Sequence, residues 1–397
     1  MSFTSMWADL EPIGRDAASG GYRRYAWTSQ DAVLREWFAG ECQARGLDVS
    51  TDRAGNQWAW WGDPDAAVTA GDPGVVTGSH LDSVPDGGAF DGPLGVVSAF
   101  AAVDALRDKG FTPSRPIGIV NFGDEEGARF GVACAGSRLI TGALNRLRAA
   151  ELADADGVPL TEAMAGAGIE VDHLGRDDEA LRRIGSFIEL HVEQGRGLVE
   201  LGRPVGLASA IWPHGRWRIE LAGQANHAGT TRLADRRDPM LALASVIVAA
   251  RSEAAKRGCV ATVGKLRVEP NGVNAIPSQV TAWLDARGAA ESDVWAIAEA
   301  VGVAGGGSGA IEESFTPATS FDQALTARLA GVLDGAPMLA TGAGHDAGIL
   351  ASAGIPSAML FVRNPTGISH SPAEWAELPD CLDGVRALTR VLAELSG

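Results

Sequence analysis

Three apolar runs in this chain end in the same way, and that repetition narrows the fold more than any other feature. The runs 74-GVVTGSHLDS-83, 116-PIGIVNF-122 followed by 123-GDEEGARFG-131, and 186-SFIELHVEQG-195 each pass from a short apolar stretch into a cluster of His, Asp, Glu and Gly. A short apolar run bounded by turn residues reads as a strand, so its polar end lies at the strand's C-terminal edge. Between the first two runs sits 94-LGVVSAFAAVDALRDKG-110, which reads as a buried helix ended by glycine. Strands separated by helices, with functional groups at the strand ends, predict an α/β catalytic layer on an open, mostly parallel sheet.

The remaining segments fit around that layer. Residues 28 to 46 form an amphipathic helix pattern with Thr28 and Asp31 suited to cap its start, and 47-LDVSTD-52 and 55-GNQWAWW-61 read as strands around a turn. Residues 143 to 183 read as helices joined by polar turns. From about 207 the pattern changes: 216-RWRIELAG-223, 261-ATVGKLRVE-269, 279-QVTAWLDAR-287 and 309-GAIEESF-315 alternate as strands, with helical runs near 239–251 and 289–302. This predicts an inserted α+β unit of two helices on an antiparallel sheet, after which the catalytic layer resumes at 321-FDQALTARLAGVLDG-335. A length of 397 residues exceeds what one core usually supports, so the expected division is 1–206, 207–320 and 321–397, the first and last parts forming one domain.

Composition limits the partners. A formal charge of −17 disfavours nucleic acid, whose affinity depends on Lys and Arg facing phosphates. No run reaches the roughly 18 uncharged apolar residues needed to cross a bilayer, and MSFTSMWADLEPIGRD lacks the apolar stretch of a signal peptide. A cytoplasmic protein without a membrane partner is expected. Cys42, Cys134, Cys259 and Cys381 lack paired spacing and read as reduced thiols without a role.

The polar clusters supply metal ligands. His80 and Asp82 stand two positions apart at a strand end, so both side chains point one way, and Asp82 can accept the imidazole N–H that His80 does not need for a metal. Alone, the pair reads equally as an ordinary polar network. Asp91, in a Gly-rich loop, can bridge two ions or simply cap the next helix. Adjacent Glu125 and Glu126 suit a general base and a ligand respectively, against the bland reading of a surface acidic pair, while Asp124 reads as solvated or capping. His191 and His370 complete the set, although each could be a core imidazole. Together His80, Asp91, Glu126, His191 and His370 suffice for two divalent ions, with zinc or manganese expected and cobalt or nickel also suited.

The full set of motifs, GSHLDSVPDGGAFDG, GDEEGARFG, ELHVEQG, NHAGTT, PNGVNAIP, GAGHDA and GISHSPAEW, resembles the M20 family of metallopeptidases and amidohydrolases over about residues 6 to 394. Within it the chain is similar to the branch of N-carbamoyl-L-amino-acid hydrolases, allantoate amidohydrolases and β-ureidopropionases. The resemblance implies a two-metal catalytic domain with an inserted ferredoxin-like lid and dimerisation domain, and hence a homodimer. It implies that Asp91 is shared, with His80 and His370 on one ion and Glu126 and His191 on the other, and that Glu125 is the base. It further implies that His227 reaches the partner's site to polarise the scissile carbonyl, and that Gln194, Asn274 and Arg287 hold a small carboxylate-bearing substrate. Without it, Arg287 reads as a surface ion-pair residue, and both amides read equally as turn caps. Arg232-Leu233-Ala234 and 271-NGVN-274 depart from the branch's usual Pro-Met and Asn-Ser, which leaves the ligand open.

The expected activity is hydrolysis of an N-carbamoyl-L-amino acid to the amino acid, ammonia and carbon dioxide. Alternatives are allantoate, N-acyl-L-amino acids, an aminopeptidase or dipeptidase, and a binding protein without turnover. The Trp-rich runs 57–61 and 211–217 read as strand packing before they read as a substrate pocket.

Overall fold

The computed structural model describes residues 2–307 and 309–397. Its contacts divide the chain into two units, Met1–Ser209 with Ser320–Gly397, and Ala210–Thr319.

In the first unit four strands form the centre of one sheet, ordered Ile117–Phe122, Gly74–His80, Ile184–Val192 and Ser357–Val362. They run parallel, and nearly every residue in them is buried, as expected of a sheet covered on both faces. The flanks differ from the mostly parallel expectation. Gln57–Trp61 pairs antiparallel with Ile117–Phe122, Asp48–Thr51 pairs antiparallel with Gln57–Trp61, and Val205–Ile211 lies antiparallel beside Ser357–Val362. Asp48–Thr51 and Gln57–Trp61 are joined by a short turn, which permits only antiparallel pairing.

Register then does the positioning. Gly78 lies opposite Glu189, so two residues further along the parallel pair His80 and His191 emerge side by side, their rings 5.9 Å apart. Helix Pro93–Asp108 begins directly after Asp91-Gly92 and packs closely on this pair, since a Cβ on Gly95 would lie 2.4 Å from the Leu190 carbonyl oxygen. Its buried Phe100 packs against Phe38 and Trp37 of helix Ser29–Ala44, whose start Thr28 caps. Trp58 and Trp60 stack within the sheet and are buried, in line with strand packing.

The second unit reads strand His214–Ala222, helix Pro239–Arg257, strands Val260–Glu269 and Gln279–Arg287, helix Glu291–Ala304 and strand Ile311–Thr316. In that chain order its strands are arranged fourth, first, third, second, all antiparallel, which is the split-βαβ ferredoxin-like arrangement. The buried Trp217 packs edge-on against Trp295 in its core. Among the described residues no helix is long and apolar enough to cross a membrane.

Candidate metal centre

Four side chains, His80, His191, His370 and Glu126, gather around the carboxylate of Asp91 near the C-terminal end of the central sheet. Its Oδ1 faces His191 Nε2 at 3.1 Å and His80 Nε2 at 3.5 Å, and its Oδ2 faces His370 Nε2 at 3.5 Å. His370 Nε2 lies 3.5 Å from Glu126 Oε2 as well. Among the described residues two groups of donor atoms share Asp91, His80–Asp91–His191 and Asp91–Glu126–His370, and a third, Glu189–His191–His345, shares His191 with the first. This corrects the division implied by resemblance, which paired His80 with His370 and Glu126 with His191. Parallel register puts the two strand-borne histidines together, leaving the loop-borne His370 and Glu126 for each other.

The donor set fits divalent cations on a protonation argument. His80 Nδ1 is 3.2 Å from the Asp82 carbonyl oxygen and His191 Nδ1 is 2.9 Å from the Val192 carbonyl oxygen. A carbonyl oxygen only accepts, so in each ring Nδ1 carries the hydrogen and Nε2 of the neutral ring holds a lone pair. Both Nε2 atoms are buried with no hydrogen-bond partner, which leaves their lone pairs available to a cation.

The surrounding acids call for positive charge here, which protons on the histidines or a bound cation can supply. Burial opposes the His80 cation, yet Glu125, Asp82 and Asp91 together raise its pKa well above the usual value. Burial likewise opposes the His191 cation, but Asp91 raises it to about 9. Burial and then repulsion from Asp91 push Glu126 up to about 8, and burial chiefly pushes Glu125 up. Such crowding of acids is relieved by positive charge.

Other residues hold this arrangement. Asp82 accepts the backbone N–H groups of Glu125 and Glu126 at 3.1 and 3.0 Å while its Oδ1 lies 3.3 Å from His80 Nδ1, so one carboxylate orients a histidine and the acidic pair together. Glu125 Oε2 is 3.7 Å from His80 Nε2, and its Oε1 accepts from the Cys134 thiol at 3.2 Å. Cys134 therefore touches the expected base and is no bystander; its left-handed backbone (φ 55°) turns the thiol inward. Asp124 is buried rather than solvated, with neither carboxylate oxygen hydrogen-bonded, and burial holds its carboxyl well above the ordinary range. Its own left-handed conformation aims it inward.

Gln194 donates to Asp91 Oδ2 at 2.8 Å, which fixes its amide orientation and leaves Oε1 without a partner. His345 is buried edge-on against the His191 ring at 4.6 Å, and burial followed by His191 keeps it neutral. In the second unit His227 and Asn274 are neighbours, since Ala275 pairs with His227 and Ala228 N–H donates to the Asn274 carbonyl. Arg287 lies at the far end of the strand that begins at Gln279. Eight steps at about 3.4 Å span roughly 27 Å. Its guanidinium forks onto Asp285 at 2.7 and 3.1 Å.

Sequence reasoning overlooked Glu189, Ser369 and Glu374. Glu189 is fully buried, accepting from Ser79 Oγ and Ala347 N–H, and it stands two residues before His191 on one strand. The alternation that paired His80 with Asp82 would have found it. Ser369 donates to Asp91 Oδ2 at 3.0 Å, and Glu374 accepts the Phe90 and Asp91 N–H groups. Both sit in the His370 run, where only the histidine has an obvious chemistry.

The family described as Peptidase family M20/M25/M40 matches residues 76–394. The N-carbamoyl-L-amino acid amidohydrolase of Geobacillus stearothermophilus is 36% identical over 412 residues, covering 98% of both chains. The allantoate amidohydrolase of Escherichia coli is 30% identical over 404 residues, covering 98% of this chain and 96% of its own. The crystal structure of a hydantoinase/carbamoylase family amidase from Burkholderia vietnamiensis matches with a TM-score of 0.87 at 28% identity, over 99% of this chain and 96% of that one. The chain belongs to the M20 family.

Gly92 offers a direct check of the centre. It has φ 84°, and a Cβ there would meet the His80 ring at 2.4–2.7 Å. Gly92→Ala is therefore expected to displace His80 and weaken divalent-cation binding at least about 10-fold with helix content unchanged. Zinc titration beside circular dichroism measures this, and unchanged affinity would contradict the geometry.

Proposed function

We propose that this chain hydrolyses an N-carbamoyl-L-amino acid to the amino acid, ammonia and carbon dioxide. It is a metal-dependent amidohydrolase of the M20 family. The observation that carries the reading is the convergence of three imidazole Nε2 atoms on one Asp91 carboxylate, with Glu125 beside them and outside both donor groups.

His80, Asp91 and His191 would hold one divalent cation, and Asp91, Glu126 and His370 a second. Zinc or manganese suits these mixed nitrogen and oxygen donors, and cobalt or nickel can also occupy them. When bound, the ions supply Lewis acidity for the carbonyl and lower the pKa of water. Glu125 takes a proton from the attacking water and returns it to the leaving nitrogen. The water oxygen joins the ureido carbon as the bond to the amino-acid nitrogen breaks, and the carbamate formed decomposes to ammonia and carbon dioxide. Asp82 keeps His80 and the Glu125 backbone in place throughout.

The ureido preference is supported by Gln194. Its Oε1 is an acceptor without a donor, so a carbamoyl N–H would satisfy it and an acyl methyl would leave it unpaired. Arg287 would pair with the substrate carboxylate, Asn274 with the ureido group and His227 with the developing oxyanion. Asn274 and its neighbour His227 precede the strand Gln279–Arg287, whose two ends stand roughly 27 Å apart, so Arg287 sits at the end of that strand farther along the chain from them. A homodimer would let His227 and Asn274 serve the partner's site. The edge strand Val260–Glu269 and exposed Leu241 and Val248 on the adjacent helix suit pairing with a second copy.

Three measurements test these roles. Glu125→Gln is expected to lower kcat about 100-fold or more with metal content retained, whereas Glu126→Gln lowers metal content; equal metal loss in both would reverse the roles. Co-expression of His227→Ala with Glu125→Gln, each inactive alone, should restore about a quarter of wild-type activity through mixed dimers. No recovery would place His227 in its own subunit's site. Mass spectrometry of products from N-carbamoyl-L-amino acids, allantoate, N-acetyl-L-amino acids and dipeptides should show cleavage of the carbamoyl compounds. Exclusive cleavage of allantoate would move the chain within the branch, and preference for acyl compounds or dipeptides would overturn the ureido reading.

A further inference from the structure

The segment that carries His370 has almost no regular structure. Between strand Ser357–Val362 and helix Leu378–Ser396 the chain follows loops and turns, and His370 itself takes φ 55° and is half exposed. Side-chain anchors therefore fix its course. At its start the buried Asn364 accepts from Thr366 N–H, Thr366 Oγ and Gly367 N–H, and donates to the Ile368 carbonyl. Toward its end Glu374, 3% exposed, crosses to the Asp91 loop.

That crossing is unusually complete. Glu374 Oε1 accepts the N–H groups of Phe90 and Asp91 at 2.8 and 2.9 Å, and Oε2 lies 3.2 Å from Ser369 Oγ. Ser369 Oγ in turn lies 3.0 Å from Asp91 Oδ2 and accepts from Gln194 Nε2 at 3.3 Å. A Cβ on Gly88 would come within 2.4–2.6 Å of Glu374, so this loop leaves room only for glycine where the carboxylate enters. Phe90 and Trp375 meet edge-on at 5.7 Å beside the same contact.

Building on the two-ion reading above, we infer that Glu374 is a positioning residue that locks the Asp91 loop to the His370 segment and thereby sets the second cation site. The two donor groups depend on it unequally. His80 and His191 are placed by strands in register and ask of Asp91 only its Oδ1. His370 and Glu126 need Asp91 Oδ2 at a distance fixed by two loops, and Glu374 is what ties one of those loops to the other. Loss of the tie should therefore loosen one ion and spare the other.

The test uses the full-length protein stripped of metal and titrated with zinc alone, followed by calorimetry, with cobalt absorption as a second readout of ligand geometry. Wild type is expected to take up two equivalents. Glu374→Ala should keep one tight site and weaken the other at least about 10-fold. Glu374→Gln should restore both to within about 3-fold, because its amide oxygen still accepts both N–H groups and its NH2 can donate to Ser369. Equal weakening of both sites, no weakening, or failure of glutamine to rescue would each overturn the inference. Should the alanine variant not fold, Ser369→Ala decides the matter: weakening confined to one ion supports the lock, and two unchanged sites refute it. Fewer than two equivalents in wild type would instead remove the two-ion reading itself, an outcome separable from the others because it needs no variant.

Discussion

One carboxylate must face five partners at once, and the rest of the first unit is organised around meeting that demand. Asp91 turns one oxygen toward two imidazoles from the sheet and the other toward His370, Gln194 and Ser369. A carboxylate offers about four lone-pair directions, so its orientation tolerates little drift. The backbone supplies the rigidity: Gly92 opens space for the His80 ring, the next helix starts immediately beyond, and Glu374 holds the amides on the other side. Acids that would repel one another are gathered here, so the site's electrostatics and the position of Asp91 express the same requirement for cations.

Much of this was readable in the sequence because strands obey a short period. The runs ending at His80, Phe122 and Val192 are mainly apolar and form the buried centre of the sheet, and the polar residues at and after their ends lie at the expected edge. The alternation in the second half led equally to a four-stranded antiparallel unit with two helices. What escaped depends on contacts distant in sequence. The division of ligands follows from the register of Gly78 with Glu189, which no local pattern encodes. Ser357–Val362, an apolar run without a marker at its end, becomes a central strand only because its neighbours are already in place. Cys134 and Asp124 both take left-handed backbone, a conformation that Asp tolerates and Cys does not announce.

The two units contribute different physical capacities. The first concentrates buried charge at the end of a sheet covered on both faces, where pKa values are strongly displaced. The second carries His227 and Asn274, exposed on short paired segments, and a part-buried Arg287 matched to Asp285. Exposed groups pay no standing desolvation cost, which suits the substrate-binding role proposed for His227 and Asn274.

The central place of Ser357–Val362 also has a consequence for biosynthesis. This strand lies between Ile184–Val192 and Val205–Ile211, yet the ribosome delivers it more than a hundred residues after both. Until then two apolar strands wait with unpaired edges in what will become the interior of the sheet, a state prone to join other chains. The second unit, one continuous stretch of chain, can fold during that interval. Translation of the last segment therefore closes the sheet and delivers Ser369, His370 and Glu374 to Asp91 in the same stroke, so a nascent chain acquires its hydrophobic shelter and its cation-binding centre together.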